Sequence, residues 1–229
     1  MGKQVRIQPD LEAESEFWVR GLRHVAGVDE AGRGCWAGPV FAAAVILPLV
    51  AVPPAALSGV RDSKQLSARQ REAQWALIHE VALAVGVGRA EAAEIDALGI
   101  VPATRLAMRR ALESLTPAPQ ALIIDALRLP EIALPQTAFP YADARSLSVA
   151  AAGIIAKVSR DRWITTVAEV EFPGYGLAQH KGYGTQQHAT ALAEIGPCRL
   201  HRFTFAPVKR ESDREKKREG EKANRRVDE

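Results

Sequence analysis

Cysteine is almost absent from this 229-residue chain, which has only Cys35 and Cys198. They stand 163 positions apart, in no CxxC or Cys/His spacing, so a disulfide framework or a zinc site built on cysteine pairs is excluded and a reducing, cytoplasmic setting is expected. The opening stretch MGKQVRIQPDLEAESEFW lacks the apolar run of a secretory signal. A membrane span is lacking too. From Gly34 to Val60 there are 27 residues without a charge, but Pro39, Pro48, Pro53 and Pro54 interrupt them and leave Val40 to Leu47 as the one unbroken apolar run, the length of a buried strand. There is no strong net charge: the formal value is +3, and nine Lys/Arg and seven Asp/Glu lie in the last 21 residues, which leaves the first 208 at +1. Net charge therefore argues only weakly for a nucleic-acid partner. No internal repeat is present.

What is present is an ordinary globular composition, 47% hydrophobic and 25% charged, which excludes a disordered or fibrous body. Asp10 to Leu22 has helical composition. His24 to Asp29 and Val40 to Leu47 are expected as two strands joined by the Gly-rich turn GRGCWAGP. Pro53 to Gly59 is expected as loop, Ser67 as the N-cap of a helix carrying Trp75, Ile78 and Val81, and Val85 to Ala90 as a strand. Ile100 to Leu115 is a further helix, Ala121 to Asp125 a short buried strand ending in an acid, Ser146 to Val170 one long helix and Gln186 to Ile195 the last. Strands first, then strands alternating with helices, imply an α/β sheet with helices packed on it. From Lys209, 16 of 21 residues are charged, so this tail is expected to bury no core and to be disordered or at most a solvated helix.

Acids at the ends of apolar strands carry the chemistry, because a carboxylate beside a core is desolvated unless something compensates it. Asp29 ends VAGVD, Glu30 follows, Asp125 ends ALIID, and Asp143 precedes the long helix, where it can equally be an N-cap. If the two strands are neighbours, their terminal acids converge, and a cluster of hard oxygen ligands without Cys or His selects Mg²⁺ or Mn²⁺. Adjacent residues of a strand face opposite ways, so Asp29 and Glu30 can serve one centre only if the chain leaves the sheet at Glu30, for which Ala31-Gly32-Arg33-Gly34 offers an exit. That turn lacks the third glycine of a dinucleotide fingerprint and a following GK[ST], so neither a dinucleotide nor a P-loop reading holds. Asp62-Ser63-Lys64 offers a hydroxyl and an ammonium to a phosphate, or simply an Asx turn. His180, His188 and His201 have spacings that match no zinc helix pattern.

In order along the chain, VAGVDEAGRG (25–34), AGPV (37–40), DSK (62–64), IIDAL around Asp125, AD (142–143) leading into SLSVAAAGIIAKVSRD (146–161), HKGYGT (180–185) and HRFTF (201–205) resemble ribonuclease HII, the prokaryotic type 2 ribonuclease H, from about His24 to Val208. The resemblance implies a ribonuclease H-like mixed central sheet flanked by helices with a small helical C-terminal part, about 186–208, in a single catalytic domain of residues 1–208, followed by the charged tail 209–229. It implies cleavage of RNA in RNA/DNA hybrids and at single ribonucleotides in duplex DNA, with two divalent ions, Mg²⁺ or Mn²⁺, on Asp29, Glu30, Asp125 and Asp143, leaving 5′-phosphate and 3′-OH ends. Gly32, Arg33 and Gly34 then match the loop that reads the ribose 2′-OH, Tyr183 the tyrosine that senses the RNA to DNA junction, and Ser63 and Lys64 a phosphate contact. For Tyr183 the alternative is a loop tyrosine packing under Gly182 and Gly184.

The chain departs from the family pattern at Cys35, where proline is frequent, at Tyr141, where lysine is usual, and at Gly153, where AAAS has become AAAG. Only 28 residues precede Asp29, so the N-terminal substrate-binding domain of ribonuclease HIII is not expected, and the tail shows no aromatic pair of a sliding-clamp peptide. A monomer is expected. The alternatives to the enzyme are a noncatalytic hybrid-binding protein of the same fold, against which the four acids count, and a two-metal nuclease acting on DNA alone, against which the GRG loop and Tyr183 count.

Overall fold

The computed structural model describes residues 8–48 and 54–227. The first seven residues, the start of the expected loop at Pro53, and positions 228–229 of the charged tail lie outside these. The backbone divides into two compact units interleaved in sequence, the first comprising Met1–Ala31, Val40–Ala90 and Thr104–Arg160, the second Gly32–Pro39, Glu91–Ala103 and Asp161–Glu229.

The first unit is built on a five-stranded mixed sheet: β1 (Val25–Ala31), β2 (Val40–Ile46), β3 (Ala84–Ala90), β4 (Ala121–Asp125) and β5 (Gln136–Phe139), in the order β3-β2-β1-β4-β5. β1, β2 and β3 pair antiparallel, while β4 runs parallel to both β1 and β5. β1, β2 and β4 are buried along almost their whole length, as strands covered on both faces must be. β5 lies inside the stretch that reads as a Pro-rich connection; its four residues are too few for a periodic signal.

On one face, Ala43 and Val45 of β2 pack against Ala151, Ile154, Ile155 and Val158 of α5 (Leu147–Trp163) and Ile78 of α2 (Ala68–Val81). Ser67 caps α2 as expected, in a reciprocal capping box with Gln70. Near the same face, α1 (Glu12–Trp18) is shorter than the Asp10–Leu22 of the sequence reading, because Asp10 Oδ1 accepts the Glu12 N–H at 2.9 Å and Gly21, at φ +82°, turns the chain.

The second unit contains α3 (Ala92–Leu98), the start of α4 (Ile100–Glu113), a π-helical turn Ile164–Ala168 after α5, and the short helices α6 (Glu169–Glu171) and α7 (Leu177–His180). α8 (Gln186–Ile195) and α9 (Ala206–Val227) complete it. The long helix expected over Ser146 to Val170 thus changes hydrogen-bond pattern at Ile164. There the Thr165 and Thr166 hydroxyls donate to carbonyls of Asp161 and Arg162, competing with the regular ladder. Tyr175, Leu177, Leu192, Leu200 and Val208 form this unit's core with Trp36 packed against it. The charged segment from Lys209 is helical to Val227, with Val208 and Ser212 buried in its first turns. Glu, Lys and Arg are good helix formers, which supports a solvated helix over a coil.

Candidate active site

β1 and β4 are neighbours, and their last parallel pair is Val28 with Ile124. One residue further on each strand come Asp29 and Asp125, on adjacent chains about 4.8 Å apart in a regular sheet. Both continue the face that carries Gly27 and Ile123, the face covered by α5. Asp143 sits in a single 3-10 turn, Ala142–Ala144, just before α5. The Ala142 N–H donates to Asp125 Oδ1 at 2.8 Å, so the strand-end carboxylate itself ties down the turn that brings Asp143 in.

The sequence reading expected the chain to leave the sheet at Glu30. It does not: Glu30 and Ala31 remain paired with Ala42 and Phe41 of β2. Alternation therefore turns Glu30 to the face opposite Asp29. Pairing with β4 has ended by then, and the Glu30 charge is still felt by Asp29.

The electrostatics show how closely these groups sit. Asp29 is buried, and burial first, then the charges of Glu30, Asp125 and Asp143, raise its carboxyl well above the ordinary aspartate range, against a lowering contribution from the Glu30 N–H that donates to Oδ1 at 2.7 Å. Asp143 is also raised, by burial and then by Asp62 and Asp125, with Lys64 opposing. For Lys64 partial burial acts downward, but Asp62, Asp143, Asp29 and Asp125 outweigh it and keep the ammonium protonated. Asp62 meanwhile accepts the Lys64 N–H at 2.9 Å, so DSK forms the Asx turn and also presents a cation to the carboxylates.

Like charges gathered in a half-buried place are relieved by a cation, and the donors here are all carboxylate oxygens, the set that suits Mg²⁺ or Mn²⁺. Among the described residues no three His, Cys, Asp or Glu side chains are grouped tightly enough to enclose an ion by themselves.

A family model described as Ribonuclease HII matches residues 26–208. The chain belongs to the ribonuclease HII family. It is 59% identical over 201 residues to the ribonuclease HII of Chloroflexus aurantiacus, which covers 87% of this chain and 94% of that protein. In structure it is similar to the ribonuclease H2 from Pyrococcus horikoshii OT3, with a TM-score of 0.70 and 27% identity over 83% of this chain and 97% of that one. A further likeness, to Bst-RNase HIII solved in complex with Mn²⁺, has a TM-score of 0.62 and 21% identity over 82% of this chain and 68% of the other; at that identity it speaks for the fold alone. The ribonuclease H-like fold is thus shown, and the protein is a metal-dependent endonuclease of the ribonuclease H type.

Gly32, Arg33, Gly34 and Tyr183, which the ribonuclease HII resemblance also singles out, lie in the second unit. Gly32 adopts φ +91°, a conformation open to glycine, and an added Cβ on Gly34 would meet only open space. Tyr183 is 39% exposed. Its flanking glycines are pressed against the other loop: a Cβ on Gly182 would stand 2.6 Å from the Ala37 carbonyl oxygen, and one on Gly184 2.2 Å from the Trp36 ring. Of the three departures, Cys35 is buried, Tyr141 is exposed at φ +60°, and Gly153 lies beside Asp29.

The three histidines do come together, in contact with one another. His188 Nε2 and His201 Nε2 are 3.0 Å apart, and His180 stacks on His188 at 4.4 Å. The network assigns the protons. His188 Nδ1 faces the Tyr183 carbonyl at 3.0 Å and must donate, so its Nε2 accepts from His201, whose Nδ1 in turn accepts the Cys198 N–H at 3.1 Å. Burial chiefly, and then the charge of a neighbouring imidazole, lower both rings to about 4, and a second proton would also set two N–H groups against each other. Their role is to hold the Tyr183 loop.

Sequence reasoning missed two buried residues. Glu14 of α1 accepts from the Ser146 hydroxyl, the Ser148 hydroxyl and the Ser148 N–H at 2.7, 2.6 and 2.9 Å, capping the N-terminus of α5 from outside the helix. Arg202 was inside a quoted motif but assigned no task. Neither had a local signal, since their partners lie more than 130 residues away.

Proposed function

We propose that this chain cleaves the RNA strand of RNA/DNA hybrids and single ribonucleotides embedded in duplex DNA, with residues 1–208 as the catalytic domain. The observation that carries this is the placing of Asp29 and Asp125 side by side on one face of two adjacent parallel strands, with Asp143 and Lys64 drawn to the same place. Asp29, Glu30, Asp125 and Asp143 would hold the divalent cations. When bound, two such ions supply the charge that orients the scissile phosphate, activates water and stabilises the departing 3′ oxygen.

The chain's own residues do the rest. Lys64 offers an ammonium, and Ser63 a hydroxyl, to the substrate phosphate beside the carboxylates. In the second unit, the backbone of Gly32, Arg33 and Gly34 offers donors and acceptors to a ribose 2′-OH, the group that distinguishes a ribonucleotide from its neighbours and that both donates and accepts. A site that bonds such a hydroxyl rejects the deoxy analogue because its own polar groups would be left unpaired. The half-exposed ring of Tyr183 stacks on the deoxyribose that follows.

The test is incubation in Mg²⁺ or Mn²⁺ with a DNA duplex containing one ribonucleotide, beside an all-DNA duplex, with both new ends mapped. Cleavage of the first alone, leaving 5′-phosphate and 3′-OH, is expected. A 2′,3′-cyclic phosphate would mean that the substrate's own hydroxyl attacks, and the reading would fail; cleavage of the all-DNA control would point to a DNA nuclease.

A further inference from the structure

Arg202 is fully buried. Its Nη2 donates to the Gly32 carbonyl at 2.7 Å and to the Gly38 carbonyl at 2.8 Å, Nη1 donates to the Arg33 carbonyl at 2.7 Å, and Nε donates to Gly38 at 3.0 Å. The guanidinium carbon lies 5.2 Å from the centre of the Phe205 ring, which holds the plane of the fork. The backbone adds to the grip: the Arg202 N–H donates to the Trp36 carbonyl and the Gly38 N–H to the Leu200 carbonyl, both at 2.9 Å, and Ala37 bridges to His201. A single buried cation therefore gathers the carbonyls at both ends of the loop Gly32–Gly38.

The consequence for the other side of the loop follows from peptide geometry. In a planar trans peptide the carbonyl and the N–H point in opposite directions. With the Gly32 and Arg33 carbonyls turned inward onto Arg202, the N–H groups of Arg33 and Gly34 are turned away from it, at a place where Gly34 is exposed and has open space around it. The guanidinium decides which face of the loop presents donors.

We infer that Arg202 is a positioning residue that sets the polarity of the GRG loop, and through it the loop's ability to read a ribose hydroxyl. This rests on the proposed reading of that loop as the ribose contact. Lysine cannot substitute, since one ammonium on a flexible stem does not span three diverging carbonyls as a rigid five-donor fork does.

The experiment compares Arg202→Lys, Arg202→Ala, Phe205→Leu and Gly32→Ala on the single-ribonucleotide duplex in Mg²⁺, with melting temperatures measured alongside. Arg202→Lys and Arg202→Ala are expected to lose at least about tenfold in kcat/KM. Millimolar guanidinium ion, below denaturing concentration, is expected to restore part of the loss in Arg202→Ala and none in Arg202→Lys. A merely structural arginine would not show that pattern. Cleavage by folded Arg202→Lys within about twofold of the parent, or a loss in Arg202→Ala that guanidinium leaves untouched, overturns the inference. If Arg202→Ala does not fold, Phe205→Leu decides: reduced cleavage at an unchanged melting temperature supports the inference, and unchanged cleavage overturns it. Gly32→Ala distorts the loop directly, so full activity there would remove the reading of the loop itself, whereas loss there with intact Arg202 variants would remove only the role of Arg202.

Discussion

A β-carbon on Gly153 would stand 2.4 Å from Oδ2 of Asp29. The Asp29 carboxylate thus occupies the space that a side chain on α5 would take. Gly27, two residues earlier on the same face of the strand, makes the same approach possible further along: a Cβ there would be 2.2 Å from the Ser148 carbonyl carbon. Two glycines, one on each element, let α5 lie directly on β1 and leave its middle open for an acid.

Gly153→Ala is expected to turn the Asp29 carboxylate aside and weaken Mn²⁺ binding by about tenfold, even though alanine favours the helix by roughly 1 kcal/mol. Gly153→Ser adds the same β-carbon with a hydroxyl able to donate to the displaced carboxylate, so it should recover most of that loss. Mn²⁺ titration by calorimetry or electron paramagnetic resonance reads both. Equal affinity in all three proteins would show that Asp29 already points elsewhere.

Asp29→Asn and Asp125→Asn keep the shape and the acceptor oxygen, including the one that receives the Ala142 N–H, but remove charge. Cleavage should fall by orders of magnitude while hybrid binding survives. Asp29→Asn should also melt higher at neutral pH without added metal, because it removes a buried charge repelled by three neighbours. A gain of about 1 kcal/mol corresponds to roughly 2–4 °C in a chain of this size. Near-parental cleavage by Asp29→Asn in Mg²⁺ would dismiss the assignment.

His188, lowered to about 4 by burial and then by His180, and His201, lowered to about 4 by burial and then by His188, remain neutral in the folded chain where the unfolded chain takes up protons. Their contribution is complete above the ordinary histidine value near 6.5, and it is lost as pH falls from there toward 4, by on the order of 3 kcal/mol for one ring. The two share one contact, so the losses do not add. Glu14, raised chiefly by burial, slopes the opposite way, and the comparison must therefore be with His201→Asn. The stability advantage of the parent over that variant should shrink between pH 7 and pH 5 in urea titrations. A constant difference would place the imidazoles in contact with solvent.

Tyr183→Ala removes a ring whose backbone stays held by His188 and by the Thr185 N–H, so the variant should fold normally. If the ring stacks on the sugar after the ribonucleotide, roughly 1–3 kcal/mol is lost, and single-ribonucleotide cleavage drops about tenfold or more. An all-RNA/DNA hybrid carries a 2′-OH at that position and should lose less. The ratio of the two rates is the measurement, and equal losses would leave junction recognition to the GRG loop.

Local chemistry was legible in the chain itself. The run ALIID is a strand from Ala121 to Asp125, Gln186 to Ile195 is a helix, and Ser67 caps α2, because side-chain period, capping and strand composition act over a few residues. The four acids and the ordered motifs were legible for the same reason. Only the tertiary structure decided that β1 and β4 run side by side with Asp29 and Asp125 on one face, that Glu30 stays paired and faces the other, and that Gly153 yields its space to Asp29. The same holds for Arg202 reaching the Gly32 carbonyl across 170 positions and for three histidines closing one network. Strand register and buried hydrogen bonds are settled between segments far apart in sequence, where no local periodicity records the partner.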